Sequence, residues 1–165
     1  MQFDVVILAA GLGSRLKNFT QDKPKAMVQV GNKTLIDHAF AFLDLSKVQK
    51  VFVVGGYQAE VLKNHLSSYK EQVEFVYNPD YQQGSVLTLE KALPFIKGNF
   101  LLMNVDHIYP QKMFFTLLKK VTEKGIFAMA DSDRNLVADD MKIDFKKPSI
   151  IGKISKQLTQ YSAGY

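Results

Sequence analysis

The 165-residue sequence is 47% hydrophobic and 22% charged, which is the composition of one globular domain with a sizeable core rather than of a disordered chain. No apolar run approaches the roughly 20 residues of a membrane-spanning helix, no signal peptide is recognisable, and cysteine is absent, so we expect a cytoplasmic protein with no membrane contact and no disulfides. The net charge of +5 comes from scattered lysines that lack interleaved aromatic residues, so no nucleic acid partner is expected.

Predicted strands and helices alternate along the chain. The first strand, Phe3–Ala10, is continuously apolar, as in a central parallel strand that is covered on both faces. Further strands are predicted at Met27–Val30, Lys50–Val54, Val73–Tyr77, Asn99–Val105 and Ile126–Ala130, followed by a hairpin of Met141–Phe145 and Ser149–Ile154. Helices are predicted from Thr34, after Tyr57, from Gly84-Ser85 and around Met113. This order predicts an α/β fold of three layers, a doubly wound, mostly parallel, Rossmann-like sheet with an added edge hairpin.

The loop after the first strand, Gly11–Lys25, has the residues of a phosphate-binding loop but matches neither of two common types. A P-loop ends in Gly-Lys-Ser/Thr, which is absent. A dinucleotide-binding loop has a third glycine where this chain has Leu16, and an acidic residue after the second strand where it has Gly55-Gly56-Tyr57. A different kind of nucleotide site is therefore indicated, at the carboxyl ends of the parallel strands.

Four residues of this loop are suited to binding phosphate. Gly13 and Ser14 offer backbone N–H groups at a helix start, which favour anions. Arg15 can donate hydrogen bonds to two phosphate oxygens at once, and Lys25 supplies a compact positive charge. Taken singly, the two cations are also compatible with ordinary exposed surface charges.

Two segments, Leu8–Arg15 and Asp22–Val28, together resemble the motif of the sugar-phosphate nucleotidyltransferase superfamily. The similarity continues through Gly31-x-x-x-Leu35-Ile36-x-His38 and extends over nearly the whole chain. Asp140–Ile143 and Ile154–Lys156 resemble motifs of the branch that contains phosphocholine and inositol-phosphate cytidylyltransferases. The resemblance implies that residues 1–165 form one nucleotidyltransferase domain that is truncated at its C-terminus.

The resemblance also implies the roles of individual residues. Arg15 and Lys25 would be the catalytic groups, and nucleotide binding is expected at Leu8, Ala9, Ala10, Gly11, Gly13, Ser14, Arg15, Gly56, Gly84 and Ser85. Asp106, at the end of a buried strand, would hold Mg²⁺, although an aspartate there can also cap the following helix. We expect the acceptor near Asp133, Lys142 and Lys156, where the alternative is a set of exposed side chains that protect a sheet edge.

The implied reaction is transfer of CMP from magnesium-bound CTP to a phosphorylated small alcohol, with release of pyrophosphate. Two alternatives stay open: a sugar-1-phosphate uridylyl- or thymidylyltransferase, and a non-catalytic nucleotide-sensing regulatory domain. The acceptor, the choice of nucleotide, a second metal ligand and the oligomeric state, monomer or homo-oligomer, also stay open.

Overall fold

The computed structural model describes residues 2–13, 16, 19–20, 22–69, 71–121, 124–133 and 135–164. The chain divides into two compact units, Met1–Thr116 and Leu117–Tyr165. In the described part of the chain, no helix has both the length and the apolar character needed to cross a membrane. The expectation of a single, truncated domain stays a prediction.

The first unit is built from alternating strands and helices, as predicted. Its strands are β1 (Phe3–Ala9), β2 (Gln29–Val30), β3 (Lys33–Thr34), β4 (Val48–Gly55), β5 (Val73–Tyr77) and β6 (Phe100–Asn104). Its helices are α1 (Leu35–Phe42), α2 (Ala59–Leu66), α3 (Ser85–Ala92) and the start of α4 (Gln111–Lys120). The four long strands form a parallel sheet in the order β5-β4-β1-β6, and β2 pairs with β3 in a short hairpin.

Strand β1 lies in the middle of the sheet, and its three central residues, Val5–Ile7, are fully buried. Val6 belongs to a cluster on the face of the sheet that α3 covers, together with Phe52, Val54, Val76 and Ala92. On the other face, α1 and α4 meet through an edge-to-face contact of Phe42 with Phe114 at 5.5 Å. The sheet between two helical layers confirms the predicted three-layer α/β fold.

Helix α1 begins at Leu35, one residue after the predicted start, because Thr34 caps its first turn. The Thr34 hydroxyl accepts the backbone N–H of Asp37 at 3.3 Å, and the Asp37 carboxylate accepts the backbone N–H of Thr34 at 3.0 Å. The same carboxylate also accepts hydrogen bonds from His65 at 2.7 Å and Tyr69 at 3.1 Å. Partial burial acts to raise the pKa of Asp37, but the hydrogen bonds from Thr34 and His65 outweigh it and lower that pKa to about 2. One ionised carboxylate therefore joins α1 to α2.

The second unit contains the predicted hairpin. Strands β7 (Lys142–Lys147) and β8 (Ile150–Ser155) are antiparallel, and β9 (Ala163–Gly164) pairs with the other side of β7 in a separate three-stranded sheet. The predicted strand Ile126–Ala130 is wrong, because these residues adopt no regular secondary structure. Ile126 is fully exposed, and the pairing found next to this segment is a single bridge between Asp131 and Gly164.

Candidate functional site

The strand order creates a crevice at the carboxyl end of β1. The chain adds β4 and β5 on one side of β1 and then returns to add β6 on the other side. Open α/β sheets bind ligands beyond the carboxyl ends of their strands, at the point where the strand order reverses, which here lies between β1 and β6. Two oppositely charged side chains from these loops meet at this point, since the Lys25 ammonium forms an ion pair with Oδ2 of Asp106.

The Asp106 carboxylate is held by two partners. Its Oδ1 lies 3.0 Å from Nδ1 of His107, whose ring stacks on Tyr109 with centroids 5.7 Å apart and planes 5° from parallel. The hydrogen bond from His107, and then the hydrogen bond and charge of Lys25, outweigh the opposing effect of burial and hold the pKa of Asp106 well below its usual range. Asp106 therefore stays ionised at neutral pH while its side chain remains 36% exposed.

Lys25 is positioned through its aliphatic stem. A methyl group added to Gly13 would lie only 3.1 Å from Cβ of Lys25, so the glycine allows the two segments to pack closely. Gly13 has a φ of +66°, a conformation that glycine adopts without strain, and its carbonyl accepts hydrogen bonds from Leu16 at 2.8 Å and Thr20 at 3.2 Å. The loop thus fixes the lysine stem and leaves the side chain as a whole partly exposed.

The predicted nucleotide-binding residues from Leu8 to Gly11 lie at the carboxyl end of β1 and directly after it. The carbonyl of Leu8 accepts the N–H of Val105 at 3.2 Å, and the carbonyl of Ala10 accepts the N–H of Tyr57 at 3.3 Å, so the strand ends are tied together. Ala9 and Ala10 are buried. Gly11 is exposed, and no described atom lies within 4 Å of where its β-carbon would be. Packing against the described residues does not explain why position 11 is a glycine, and its contact with nucleotide stays a prediction.

Gly84 and Ser85 are placed by a buried asparagine. Gly84, with a φ of +110°, precedes α3, and Ser85 is the first residue of that helix. Asn78 is completely buried, its amide donates to the Thr88 hydroxyl at 3.0 Å, and that hydroxyl donates to the carbonyl of Gly84 at 3.1 Å. The backbone N–H of Asn78 also donates to Gly55 at 2.8 Å. The start of α3 is therefore tied to the carboxyl end of β4.

Gly56 packs against an aromatic ring. A β-carbon at this position would lie 2.4 Å from Cβ of Tyr81, so packing accounts for the glycine. Gly56 lines an open depression of about 650 Å³ beyond the ends of β4 and β5, together with side chains that include Tyr57 and Tyr77. Its contact with nucleotide stays a prediction.

The predicted acceptor residues lie in the second unit. Lys142 is buried and its ammonium donates to the carbonyl of Lys156 at 2.8 Å, while the Lys156 ammonium pairs with Asp139. Asp133 is exposed, and its backbone N–H donates to Asp131 at 2.9 Å. Lys142 and Lys156 thus brace the hairpin in this structure. The acceptor role of all three predicted residues stays a prediction.

Two predicted site residues, Ser14 and Arg15, lie outside the described residues. Two contacts near the site join residues whose pairing the sequence did not predict: the hydrogen bond of His107 with Asp106 and that of Asn78 with Thr88. The signal for Asn78 was present, because an asparagine that directly follows an apolar strand often bonds to nearby backbone or hydroxyl groups.

The residues present suit one kind of metal site. Within the described ranges, no three His, Asp or Glu side chains cluster in the way that a metal ion held entirely by protein requires. Mg²⁺ is commonly held by one or two carboxylates together with substrate phosphates. The single ionised carboxylate of Asp106 fits a magnesium ion that arrives on a triphosphate.

Comparison with known proteins identifies the family. The family described as the MobA-like NTP transferase domain matches residues 5–147. The chain belongs to this family. The match includes both halves of the crevice, β1 with its loop and β6 with Asp106, and it confirms the resemblance to nucleotidyltransferases seen in the sequence.

Individual relatives point to several nucleotidyl-transfer reactions. The CTP:phosphoglutamine cytidylyltransferase of Campylobacter jejuni is 33% identical over 129 residues, which are 74% of this chain and 51% of the relative. The UTP–glucose-1-phosphate uridylyltransferase AglF of Haloferax volcanii is 36% identical over 105 residues, or 63% of this chain and 43% of the relative. The chain spans about half the length of these curated relatives.

A solved structure confirms the fold. The inositol-1-phosphate CTP transferase from T. maritima superposes with a TM-score of 0.82 and covers 99% of this chain and 67% of its own. At 20% sequence identity, this similarity concerns the fold alone.

Proposed function

We propose that this domain transfers CMP from CTP to a phosphorylated small alcohol and releases pyrophosphate. The observation that carries the proposal is the meeting of Lys25 and Asp106 at the crevice between β1 and β6 in a chain of the NTP transferase family. CTP is favoured as the nucleotide donor because the cytidylyltransferase of C. jejuni matches 74% of the chain, whereas the uridylyltransferase relative matches 63%.

In this proposal the chain mainly aligns and neutralises its substrates. A phosphate oxygen of the acceptor attacks the α-phosphorus, a new P–O bond forms, and the bond from the α-phosphorus to the bridging oxygen breaks, so that pyrophosphate leaves. The acceptor phosphate is already a nucleophile, so no catalytic base is needed. Lys25 and Arg15 would neutralise charge on the phosphates, and the open backbone at Gly11 and the start of α3 at Gly84-Ser85 would receive the nucleoside.

Magnesium is the proposed cofactor. It would neutralise charge on the triphosphate, and Asp106 would hold it. Asp106 is suited to this role because its carboxylate is ionised, partly exposed and oriented by His107.

A second reaction is supported by the uridylyltransferase relative, which is 36% identical over 105 residues. In it a sugar 1-phosphate would accept UMP or dTMP by the same attack on the α-phosphorus. In both reactions Lys25 and Asp106 would bind phosphate and metal rather than a base, so these two side chains do not distinguish CTP from UTP or dTTP.

The test is pyrophosphate release with magnesium from each of CTP, UTP, dTTP and ATP, against a phosphorylated amino alcohol, an inositol phosphate and a hexose 1-phosphate. We expect release from CTP with one of the phosphorylated alcohols. Release only from UTP or dTTP with the hexose 1-phosphate would replace the proposal by its alternative. Binding of triphosphate without release from any pair would instead indicate a nucleotide-sensing domain.

The site assignment has its own controls. Asp106→Asn and Lys25→Met should each lower turnover by at least about a hundredfold, since each removes a charge aligned with the phosphates. Lys23→Met removes the same charge two residues away and should keep most of the activity. Full activity in Asp106→Asn would refute the role of Asp106 as metal ligand, but it would not contradict the proposed transfer reaction.

A further inference from the structure

Asp106 and Lys25 have different ligands in the proposed function, and yet they bind each other. The Lys25 ammonium lies on Oδ2 of Asp106, which is the oxygen that a metal ion would use. We propose that Lys25 and a divalent cation compete for Oδ2, so that Asp106 binds the metal more tightly once Lys25 transfers to phosphate. This inference rests on the metal and phosphate roles proposed above.

The other oxygen of Asp106 is not equally available. Oδ1 is held by Nδ1 of His107 at 3.0 Å, and the His107 ring is stacked on Tyr109. Tyr109 in turn packs on the buried Phe42, with ring centroids 5.5 Å apart. Rotating the carboxylate would break the His107 hydrogen bond, so Oδ2 is the oxygen that faces a new ligand, and it is the one that Lys25 contacts.

Lys25 can leave Asp106 without unfolding its loop. Its backbone is held in a single helical turn, with hydrogen bonds from Met27 to Pro24 at 2.8 Å and from Val28 to Lys25 at 3.0 Å. Packing against Gly13 fixes the Cβ and Cγ atoms, whereas the ammonium lies at the end of a flexible stem on a side chain that is 25% exposed. The ammonium can therefore change partner while the loop keeps its shape.

Competition follows from the charges involved. An ammonium and a dication on the same carboxylate oxygen would repel each other at contact distance, so one excludes the other. A triphosphate changes the balance because it offers the ammonium a second anionic partner while it delivers the metal. Binding of metal and triphosphate would then be mutually reinforcing, and free divalent cations would bind Asp106 only weakly.

The experiment uses Mn²⁺ alone and follows paramagnetic broadening of the Val105 amide signal, whose N–H lies next to Asp106 and bonds to Leu8 at 3.2 Å. We expect Lys25→Met to reach half-broadening at about fivefold lower Mn²⁺ than the native chain, because an exposed ion pair is worth up to roughly 1 kcal/mol. Lys25→Gln, a second neutral variant, should lower that Mn²⁺ concentration in the same way. Lys25→Arg keeps the positive charge and should keep the half-broadening concentration of the native chain. Asp106→Asn should remove the broadening in every background.

A matched control separates competition from general charge. Lys23→Met removes one positive charge from the same loop, and no ion pair joins Lys23 to Asp106 among the described contacts. Lys23→Met should shift the Mn²⁺ concentration at half-broadening by less than twofold. Equal shifts in Lys23→Met and Lys25→Met, or no shift in Lys25→Met and Lys25→Gln, would overturn the competition. A Val105 signal that stays sharp in every variant would overturn the metal site itself, while the proposed transfer is judged separately by pyrophosphate release.

Discussion

Substituting Gly13 by alanine should disturb the candidate site through the stem of Lys25. The new β-carbon would lie 2.9 Å from Cγ2 of Thr20 and 3.1 Å and 3.3 Å from Cβ and Cγ of Lys25, so these neighbours must shift by several tenths of an ångström. Overpacking of this kind costs about 1 to 3 kcal/mol. The left-handed φ of +66° adds about 1 kcal/mol for any residue with a β-carbon. We expect a total loss of about 2 to 4 kcal/mol in the free energy of unfolding.

Gly31 provides the matched control. It has nearly the same φ, +65°, but no described atom lies within 4 Å of its β-carbon position. Gly31→Ala should therefore lose only the conformational part, about 1 kcal/mol. Urea unfolding at 25 °C measures both losses, and pyrophosphate release reports whether Lys25 has moved. Equal losses of stability in Gly13→Ala and Gly31→Ala, with unchanged turnover, would refute the argument from packing.

Three further outcomes follow from the contacts described above. Because the pKa of Asp37 falls from its ordinary 3.8 to about 2, its ionised form should contribute about 2 kcal/mol of stability above pH 4 that is lost as the pH drops towards 2. Urea unfolding between pH 2 and 6 should show a flatter acid limb in Asp37→Asn. Asn78→Ala should cost about 1 to 3 kcal/mol by urea unfolding, since it leaves the Asp80 N–H and the Thr88 hydroxyl without their asparagine partner. Gly11→Ala should leave stability within about 0.5 kcal/mol and weaken CTP binding measured by calorimetry, because its methyl group would enter open space.

The parts of the fold that could be predicted are those set by local pattern. The continuous apolar run of Phe3–Ala10 indicated a strand buried on both faces, and β1 is the central strand. A helix was predicted from Thr34, and Thr34 caps a helix that begins at the next residue through hydrogen bonds with Asp37. Both features depend on residues close together in sequence, so no knowledge of the strand order was needed.

The parts that could not be predicted depend on distant partners. Lys25 and Asp106 are 81 positions apart, and their ion pair exists because β6 lies directly beside β1, an order that hydrophobic periodicity does not encode. Ile126–Ala130 has the apolar character of a strand, but a strand also needs a neighbour to satisfy its backbone. In the described structure that neighbour is limited to the bridge at Asp131.

The central position of β1 also has a consequence for how the protein is made. Both partners of β1 come much later in the chain, since Asp4 pairs with Phe100 and Val5 with Val51 and Leu101. During synthesis, β1 therefore emerges before both of its neighbours. About a hundred further residues must be made before β6 can pair with its second edge. Such long-range pairing slows folding and leaves an aggregation-prone edge exposed on the ribosome. The strand that precedes the candidate nucleotide loop is therefore made before either of the two strands that pair with it.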